Sequence, residues 1–280
     1  DEAKQDELKP LIESGKKSFK GRELSGGTLG VIGMGAIGAK VADMGVMLGM
    51  NVIGFDPAIT VEAAWKLPNQ VERKEKIEDV FKDSDYISLH VPANDATKGL
   101  INEELLKNAK KGLRLINFAR DEIVVSKDII ISLEDQTLSK YITDFADLDL
   151  ISRAKTKYDV IILPHIGAST SQAEENCSVM AAEQLDDFLN NGNIKNSVNF
   201  PELIEPRLSD FRITISNKNH PGMIGKITTV LAENKLNIID MVNKSREDLA
   251  YNVIDLETKP SEKVLGELSS LEDVISVREV

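Results

Sequence analysis

The stretch Thr28-Leu-Gly-Val-Ile-Gly-Met-Gly-Ala-Ile-Gly-Ala-Lys40 runs a short apolar segment into three glycines, Gly33, Gly35 and Gly38. Their spacing is G-x-G-x-x-G at the point where a strand gives way to a helix. Such a turn leaves backbone N–H groups and the positive end of a helix dipole aimed at a diphosphate. The next apolar run, Asn51-Val-Ile-Gly-Phe-Asp56, closes on an acid eighteen residues after Gly38. A carboxylate roughly 20 residues on is placed to hold a ribose 2′-OH. Together these features specify a dinucleotide site, with Gly33, Gly35, Ala36, Ile37 and Gly38 at the diphosphate and Asp56 at the ribose. The acid favours NAD over NADP, because it repels a 2′-phosphate and no arginine follows it directly.

Outward from this turn, short apolar runs alternate with amphipathic ones as far as Pro164. Strands are expected at Leu29–Gly33, Asn51–Phe55, Tyr86–His90, Leu113–Asn117, Tyr141–Asp144 and Val160–Leu163. Helices are expected at Ala36–Leu48, Ile77–Phe81, Asn102–Leu106 and Lys127–Leu133. This alternation predicts an α/β, doubly wound parallel sheet of the Rossmann kind, with ligand at the carboxyl ends of the strands. Ser171 to Asn190 reads as one long helix, opened by a Ser-Gln-Ala-Glu capping box and carrying Met180, Ala181, Leu185 and Phe188 on an apolar face. Turn residues and prolines then mark a linker. Beyond it, Phe211–Ser216, Gly222–Ala232, Leu236–Asn243, Ala250–Leu256, Ser261–Glu267 and Val274–Glu279 read in the order βαββαβ, a ferredoxin-like unit. The expected organisation is a helical segment over 1–20, the nucleotide domain with its exit helix over 21–190, a linker over 191–210 and a small domain over 211–280.

A chain of 280 residues suits two such domains. Its net charge of −12 argues against nucleic acid or an anionic membrane surface as the main partner. No run reaches the roughly 18 apolar residues of a membrane helix. The mixed, charged start Asp1-Glu-Ala-Lys-Gln-Asp-Glu7 is unlike a secretory leader, and the expected location is cytoplasmic. Cys177 stands alone, which excludes an internal disulfide; among acidic neighbours on a helical stretch it reads as a buried packing residue rather than a nucleophile. No metal ligand set is expected.

Several spaced stretches carry a family resemblance: Thr28–Asp56, Tyr86-Ile-Ser-Leu-His-Val-Pro92, Thr97-Lys-Gly-Leu-Ile-Asn102, Leu115-Ile-Asn-Phe-Ala-Arg120 and Leu163-Pro-His-Ile-Gly-Ala-Ser-Thr170. On these, residues from about Phe19 to Pro201 resemble the D-2-hydroxyacid dehydrogenases, and the tail resembles an ACT domain, a small amino-acid-sensing module. The pairing, in this order, implies NAD-dependent oxidation of 3-phosphoglycerate to 3-phosphohydroxypyruvate in serine biosynthesis, with L-serine as an effector. It also implies a substrate domain ahead of residue 1, so the chain is expected to be a piece of a longer protein.

His165 follows an apolar strand beside Pro164, where an imidazole titrating near neutrality suits proton exchange with an alcohol. By residue type alone it reads first as a histidine satisfying backbone groups in a tight turn; the resemblance carried by Pro-His-Ile-Gly-Ala-Ser-Thr implies the catalytic base. Arg120, just past the strand Leu113–Asn117, can hold a carboxylate through two hydrogen bonds, or it can pair with Asp121 or Glu122. Asp121 stands where the family has glycine, and it can either pair with Arg120 or point away. The family's glutamate partner of the histidine is replaced: Asp149 falls at its place, with Asp147 close by. The resemblance puts Asp144 on the nicotinamide side, and Val91, Pro92, Ala119 and Gly167 along the cofactor cleft. His90 reads as a cofactor-edge or packing residue. In the tail the resemblance implies effector contacts at Asn217, Asn219 and Asn237, where side-chain amides can pair with an amino acid. His220 reads as a turn histidine. An exposed sheet edge there implies a homo-oligomer, dimer or tetramer. Two other readings stay open: a different D-2-hydroxy acid as substrate, and a non-catalytic module binding NAD and an amino acid.

Overall fold

A computed structural model describes residues 5–16, 21–145 and 147–280. The chain divides into two compact units, Asp1–Ile166 and Gly167–Val280. The first opens with helix α1 (Gln5–Gly15), within the segment expected to be helical; residues 1–4 and 17–20 of that segment lie outside the described residues. Then come β1 (Thr28–Ile32), α2 (Ala36–Met47), β2 (Asn51–Phe55), α3 (Val61–Ala64) and β3 (Glu72–Arg73). The unit continues through α4 (Ile77–Asp83), β4 (Tyr86–Leu89), α5 (Glu103–Leu106), β5 (Leu113–Asn117), α6 (Ser126–Glu134), β6 (Leu138–Thr143), α7 (Leu148–Lys157) and β7 (Val160–Ile162).

The seven strands pair in the order β3-β2-β1-β4-β5-β6-β7, parallel throughout. Val31, Ile32, Ile87, Leu89, Leu113 and Leu115 are buried, so their apolar runs sit inside a sheet rather than on a half-wet face. β1 lies between β2 and β4, so the chain reverses direction across the sheet there, which is where such folds open a ligand crevice. All six expected strands form. β3, with only Glu72 and Arg73, has no apolar alternation to announce it. Helix α7 was also not anticipated: of its residues only Leu150 is buried, and its cap is Asp147, whose carboxylate accepts the Leu150 N–H at 2.9 Å.

The second unit begins with α8 (Ser171–Asn191), followed by β8 (Phe211–Lys218), α9 (Met223–Glu233), β9 (Ile238–Arg246), β10 (Leu249–Leu256), α10 (Glu262–Ser269) and β11 (Val274–Glu279). Its antiparallel sheet has the order β11-β8-β10-β9, the ferredoxin-like arrangement expected. Ile213 and Ile215 of β8 and Ile254 and Leu256 of β10 pack with Ile227 and Leu231 of α9 and Val264 and Leu268 of α10. The opposite face is covered by the segment expected to be a linker. Ile194 and Leu203 pair across an isolated bridge and pack on Tyr251 and Val253.

Arg212 and Asp255 are buried on that linker-covered face, each 1% exposed, with Nε–Oδ1 at 2.6 Å and Nη2–Oδ2 at 2.8 Å. The guanidinium also donates to the carbonyls of Asn191, Glu205 and Pro206, and the Leu208 N–H donates to Asp255. The pair therefore straps the chain between α8 and β8 onto the sheet.

Helix α8 departs from expectation in three respects. Its cap is Thr170, not Ser171, with Oγ1 accepting the Ala173 N–H at 3.1 Å. It belongs to the unit starting at Gly167, whereas the sequence grouped it with the nucleotide domain through residue 190. It also buries no residue: Met180 and Leu185 are exposed, Phe188 is only partly covered, and Cys177 is exposed rather than packed. Helical periodicity identifies an apolar stripe but not what the stripe meets. Among the described residues no helix is long and apolar enough to cross a membrane.

Burial would raise the Asp255 carboxyl, but hydrogen bonds from Arg212 and the Leu208 N–H outweigh it and hold the group below the usual carboxylate range. A carboxyl depressed in the folded state stabilises fully above its unfolded pKa and less as pH falls through the folded value. Unfolding of the second unit, followed by amide exchange in β8 and β10, should therefore lose stability below about pH 4, and Asp255→Asn should reduce that acid dependence, leaving the part that Asp273 and Glu267 contribute. The same substitution strands a buried guanidinium, and urea unfolding at neutral pH should register a loss of about 3–5 kcal/mol.

Candidate functional site

Almost every residue singled out in the first unit sits just past the carboxyl end of a strand. Asp56 follows β2, the glycine turn follows β1, His90 follows β4, Ala119 and Arg120 follow β5, Asp144 follows β6 and His165 follows β7. Because the strands are parallel and neighbours, these loops line one edge of one sheet in that order.

The glycine turn fits a dinucleotide at each of its three positions. Gly33 has φ +89°, and a Cβ there would lie 2.6 Å from the His90 carbonyl oxygen. Gly38 is pressed still closer, since its Cβ would lie 1.9 Å from the Gly33 carbonyl oxygen. Gly35, the residue before α2, has no heavy atom within 4 Å of such a Cβ. Gly38 thus presses the helix against the turn, Gly33 presses the turn against the loop after β4, and Gly35 keeps the helix mouth open. No side chain caps α2 and no acid lies in its first turn, so the N–H groups of Ala36, Ile37 and Gly38 are left for an anion. Asp56 is tied to this turn: one carboxylate oxygen accepts the Met34 N–H at 2.8 Å and the other the Ala58 N–H at 2.9 Å. Sequence spacing placed the acid; the Met34 contact that joins it to the glycine turn was not visible there.

His90 packs beside the turn, its Nε2 hydrogen-bonded to the Ser88 hydroxyl at 2.8 Å. Burial lowers its pKa and favours the neutral ring, which suits a packing residue over an acid–base group. The Val91 side chain would touch a Cβ on Gly33, and the Pro92 carbonyl accepts from the Thr97 hydroxyl.

Asn117, fully buried at the end of β5, builds the next loop. Its amide nitrogen donates to the Arg120 carbonyl at 2.8 Å and its oxygen accepts the Ala119 N–H at 3.1 Å. Arg120 emerges exposed from that loop and donates to the Ala119 carbonyl at 2.6 Å. Among the described residues no carboxylate pairs with it. Asp121 spends Oδ1 on the Glu122 N–H at 3.0 Å.

The imidazole of His165 is 57% exposed, with Nδ1 3.4 Å from Asp144 Oδ2. Phe145 packs its ring edge-on against it, centroids 5.0 Å apart at 70°. Sequence reasoning passed over Phe145, whose only signal was its place after the strand-end aspartate. Asp144 Oδ1 is buried with no hydrogen-bond partner among the described residues. That orphaned acceptor suits a cofactor's amide N–H, which would satisfy an otherwise costly buried oxygen. The structure does not bring Asp149 to the histidine. It lies on the first turn of α7, exposed, along a surface groove with Lys127, Glu134 and Arg153, because Asp147 starts a helix that carries it away. Gly167 opens the second unit, with nothing within 4 Å of a Cβ there. Among the described residues no group of three His, Cys, Asp or Glu could hold a metal ion.

One copy of the second unit does not assemble the three expected effector residues. Asn217 is 2% exposed and spends its amide inside the sheet, donating to the Lys218 carbonyl and accepting from Asn252 at 2.8 Å. Asn219 follows the end of β8 and donates to the Glu247 carbonyl, while Asn237 precedes β9 and donates to Glu257. Leu256 pairs with both Phe211 and Ile238, so Asn237 lies at the starting end of β8 and Asn219 at the other. Seven strand steps separate those ends, about 23 Å. His220 is not a lone turn histidine: its Nδ1 meets Asp273 Oδ2 at 2.8 Å, and that contact depresses the aspartate's pKa.

Residues 2–167 match the family described as D-isomer specific 2-hydroxyacid dehydrogenase, NAD binding domain, and residues 211–273 match the ACT domain. The chain is similar to D-3-phosphoglycerate dehydrogenases from Haemophilus influenzae, at 30% identity over 94% of its length, and from Dictyostelium discoideum, at 29% over 94%. It spans 65% of the length of each of these relatives. Among solved structures, it resembles the NAD-complexed D-isomer specific 2-hydroxyacid dehydrogenase of Lactobacillus delbrueckii ssp. bulgaricus, at 28% identity and TM-score 0.55, over 65% of this chain and 58% of that one. The cofactor of the site is NAD.

Replacing Gly35 with Ala puts a methyl group into the open mouth of α2 without crowding any protein atom. Calorimetry should show NAD binding weakened roughly tenfold, about 1.4 kcal/mol, with the melting temperature unchanged.

Proposed function

The chain belongs to the D-isomer specific 2-hydroxyacid dehydrogenases, and from that premise we propose that it serves NAD-dependent oxidation of a D-2-hydroxy acid, with 3-phosphoglycerate as the substrate. The observation that carries the activity is the placement of Arg120 and His165 on the same sheet edge as the glycine turn, each beyond its own strand. NAD, when bound, accepts the hydride from C2 of the substrate. His165 takes the hydroxyl proton on a ring nitrogen. Arg120, with no competing carboxylate among the described residues, holds the substrate carboxylate and the developing carbonyl through its planar fork. Hydroxyl becomes ketone, with one proton on the imidazole. Asp144 takes the nicotinamide side, His90, Val91, Pro92 and Ala119 line the cofactor cleft, and Asp56 holds the ribose.

The choice of 3-phosphoglycerate, and the product 3-phosphohydroxypyruvate, rests on the ACT domain behind the nucleotide domain and on the names of the relatives. Serine regulation is part of this proposal. Since one unit holds Asn219 and Asn237 at opposite ends of β8, an effector site using both needs a second copy, and β9 and β11 offer sheet edges for such pairing. A small amino-acid-binding domain over 211–280 and a cytoplasmic location complete the reading.

Replacing His165 with Gln should lower NADH formation from 3-phosphoglycerate at least a hundredfold while leaving NAD affinity within twofold. Retained turnover would remove the histidine from its role. Faster turnover of lactate or glycerate by the unaltered protein would move the substrate to another hydroxy acid.

A further inference from the structure

We propose that Asp144 is the positioning carboxylate of His165, in place of the acid that stands at the family's glutamate position. The inference rests on the reading of His165 as the base. Three described carboxylates follow β6 closely, at residues 144, 147 and 149, and the structure gives them three different jobs. Asp147 caps α7 through Oδ1. Asp149 lies on the first turn of that helix, in the groove with Lys127 and Arg153. Asp144 is the one in contact with the imidazole, Oδ2 to Nδ1 at 3.4 Å.

The contact joins a largely buried carboxylate to an open ring. Asp144 is only 11% exposed, so its carboxylate is fixed at the strand end, whereas the ring it faces is 57% exposed. Phe145 closes another side of the ring edge-on, and its own N–H is tied to the Thr143 hydroxyl at 3.0 Å. At 3.4 Å the pair has ion-pair rather than hydrogen-bond geometry, and the charge of a carboxylate facing Nδ1 favours the single proton of a neutral imidazole on that nitrogen, which leaves the Nε2 lone pair to receive the substrate's proton. A free imidazole has no such bias. Asp144 therefore selects the tautomer in which the base is ready, and the sheet itself, through the end of β6, sets the ring's orientation. Asp144 touches no reacting atom in this role; it acts through the histidine.

Histidine-labelled protein reads this directly, because two-bond proton–nitrogen correlation spectra report which ring nitrogen carries the proton. Three histidines, His90, His165 and His220, give three patterns, and His165→Gln assigns one by its loss. In mildly alkaline solution the unaltered protein should show His165 mainly as the Nδ1–H form. Asp144→Ala should reduce that fraction at least threefold, Asp144→Glu should restore it, and Asp149→Ala should leave the spectrum unchanged. A wild-type ring protonated at Nε2 overturns the proposal, with no variant required. So does an Asp144→Ala spectrum identical to wild type, or an Asp149→Ala spectrum that reproduces the change. Failure of the underlying reading is separate: a His165→Gln protein that still forms NADH removes the base while the tautomer result stands.

Discussion

The carbonyl of Gly33 and the Cα of Gly38 are so close that a single carbon on Gly38 would come within 1.9 Å of the oxygen. That contact seats the first turn of α2 on the end of β1 and points the helix mouth along the carboxyl edge of the sheet. The Asp56 carboxylate then fastens the neighbouring strand to the same turn through the Met34 N–H. Every other group of the site is positioned relative to this junction, because the strands after β1 are parallel and each returns its loop to the same edge. A larger residue at 38 would therefore disturb the register of a helix before it disturbed any chemistry.

Much of the architecture was readable from the chain, for physical reasons that can be named. Parallel strands are buried on both faces, so their apolar runs stand out, and β1, β2, β4, β5, β6 and β7 were all anticipated. What escaped lacked that signature. β3 is two charged residues recruited by pairing with Ile53 and Gly54. Helix α7 buries one leucine and depends on a capping aspartate that looked like part of a motif. The membership of α8 in the second unit depends on contacts far along the chain, which local periodicity does not encode.

The site divides in the same way. Arg120 and His165 were expected at the carboxyl edge because a strand end is a place the sequence marks, and both lie just past one, whereas Asp144 was singled out by the resemblance. Asp149 was inferred by counting residues from Asp144, and counting fails once a helix begins at Asp147 and turns the next side chains outward. Asn217 lies on β8, but its side chain belongs to a chain of amides running from buried Asn217 and Asn252 to half-buried Asn243, so a position that matched an effector residue is occupied with holding strands together. Exposure of an amide cannot be read from its neighbours in sequence.

The ion pair between Arg212 and Asp255 has a consequence for how the second unit folds. Side chains along a strand alternate between faces, so sliding β8 past β10 by a single residue would oppose Arg212 to an oily neighbour and leave Asp255 without its counter-ion. Any such misaligned pairing would carry two desolvated, uncompensated charges, a defect of several kcal/mol. The pair thus acts as a checksum on strand alignment, and it is verified only when the strap ahead of β8 has also come down over it.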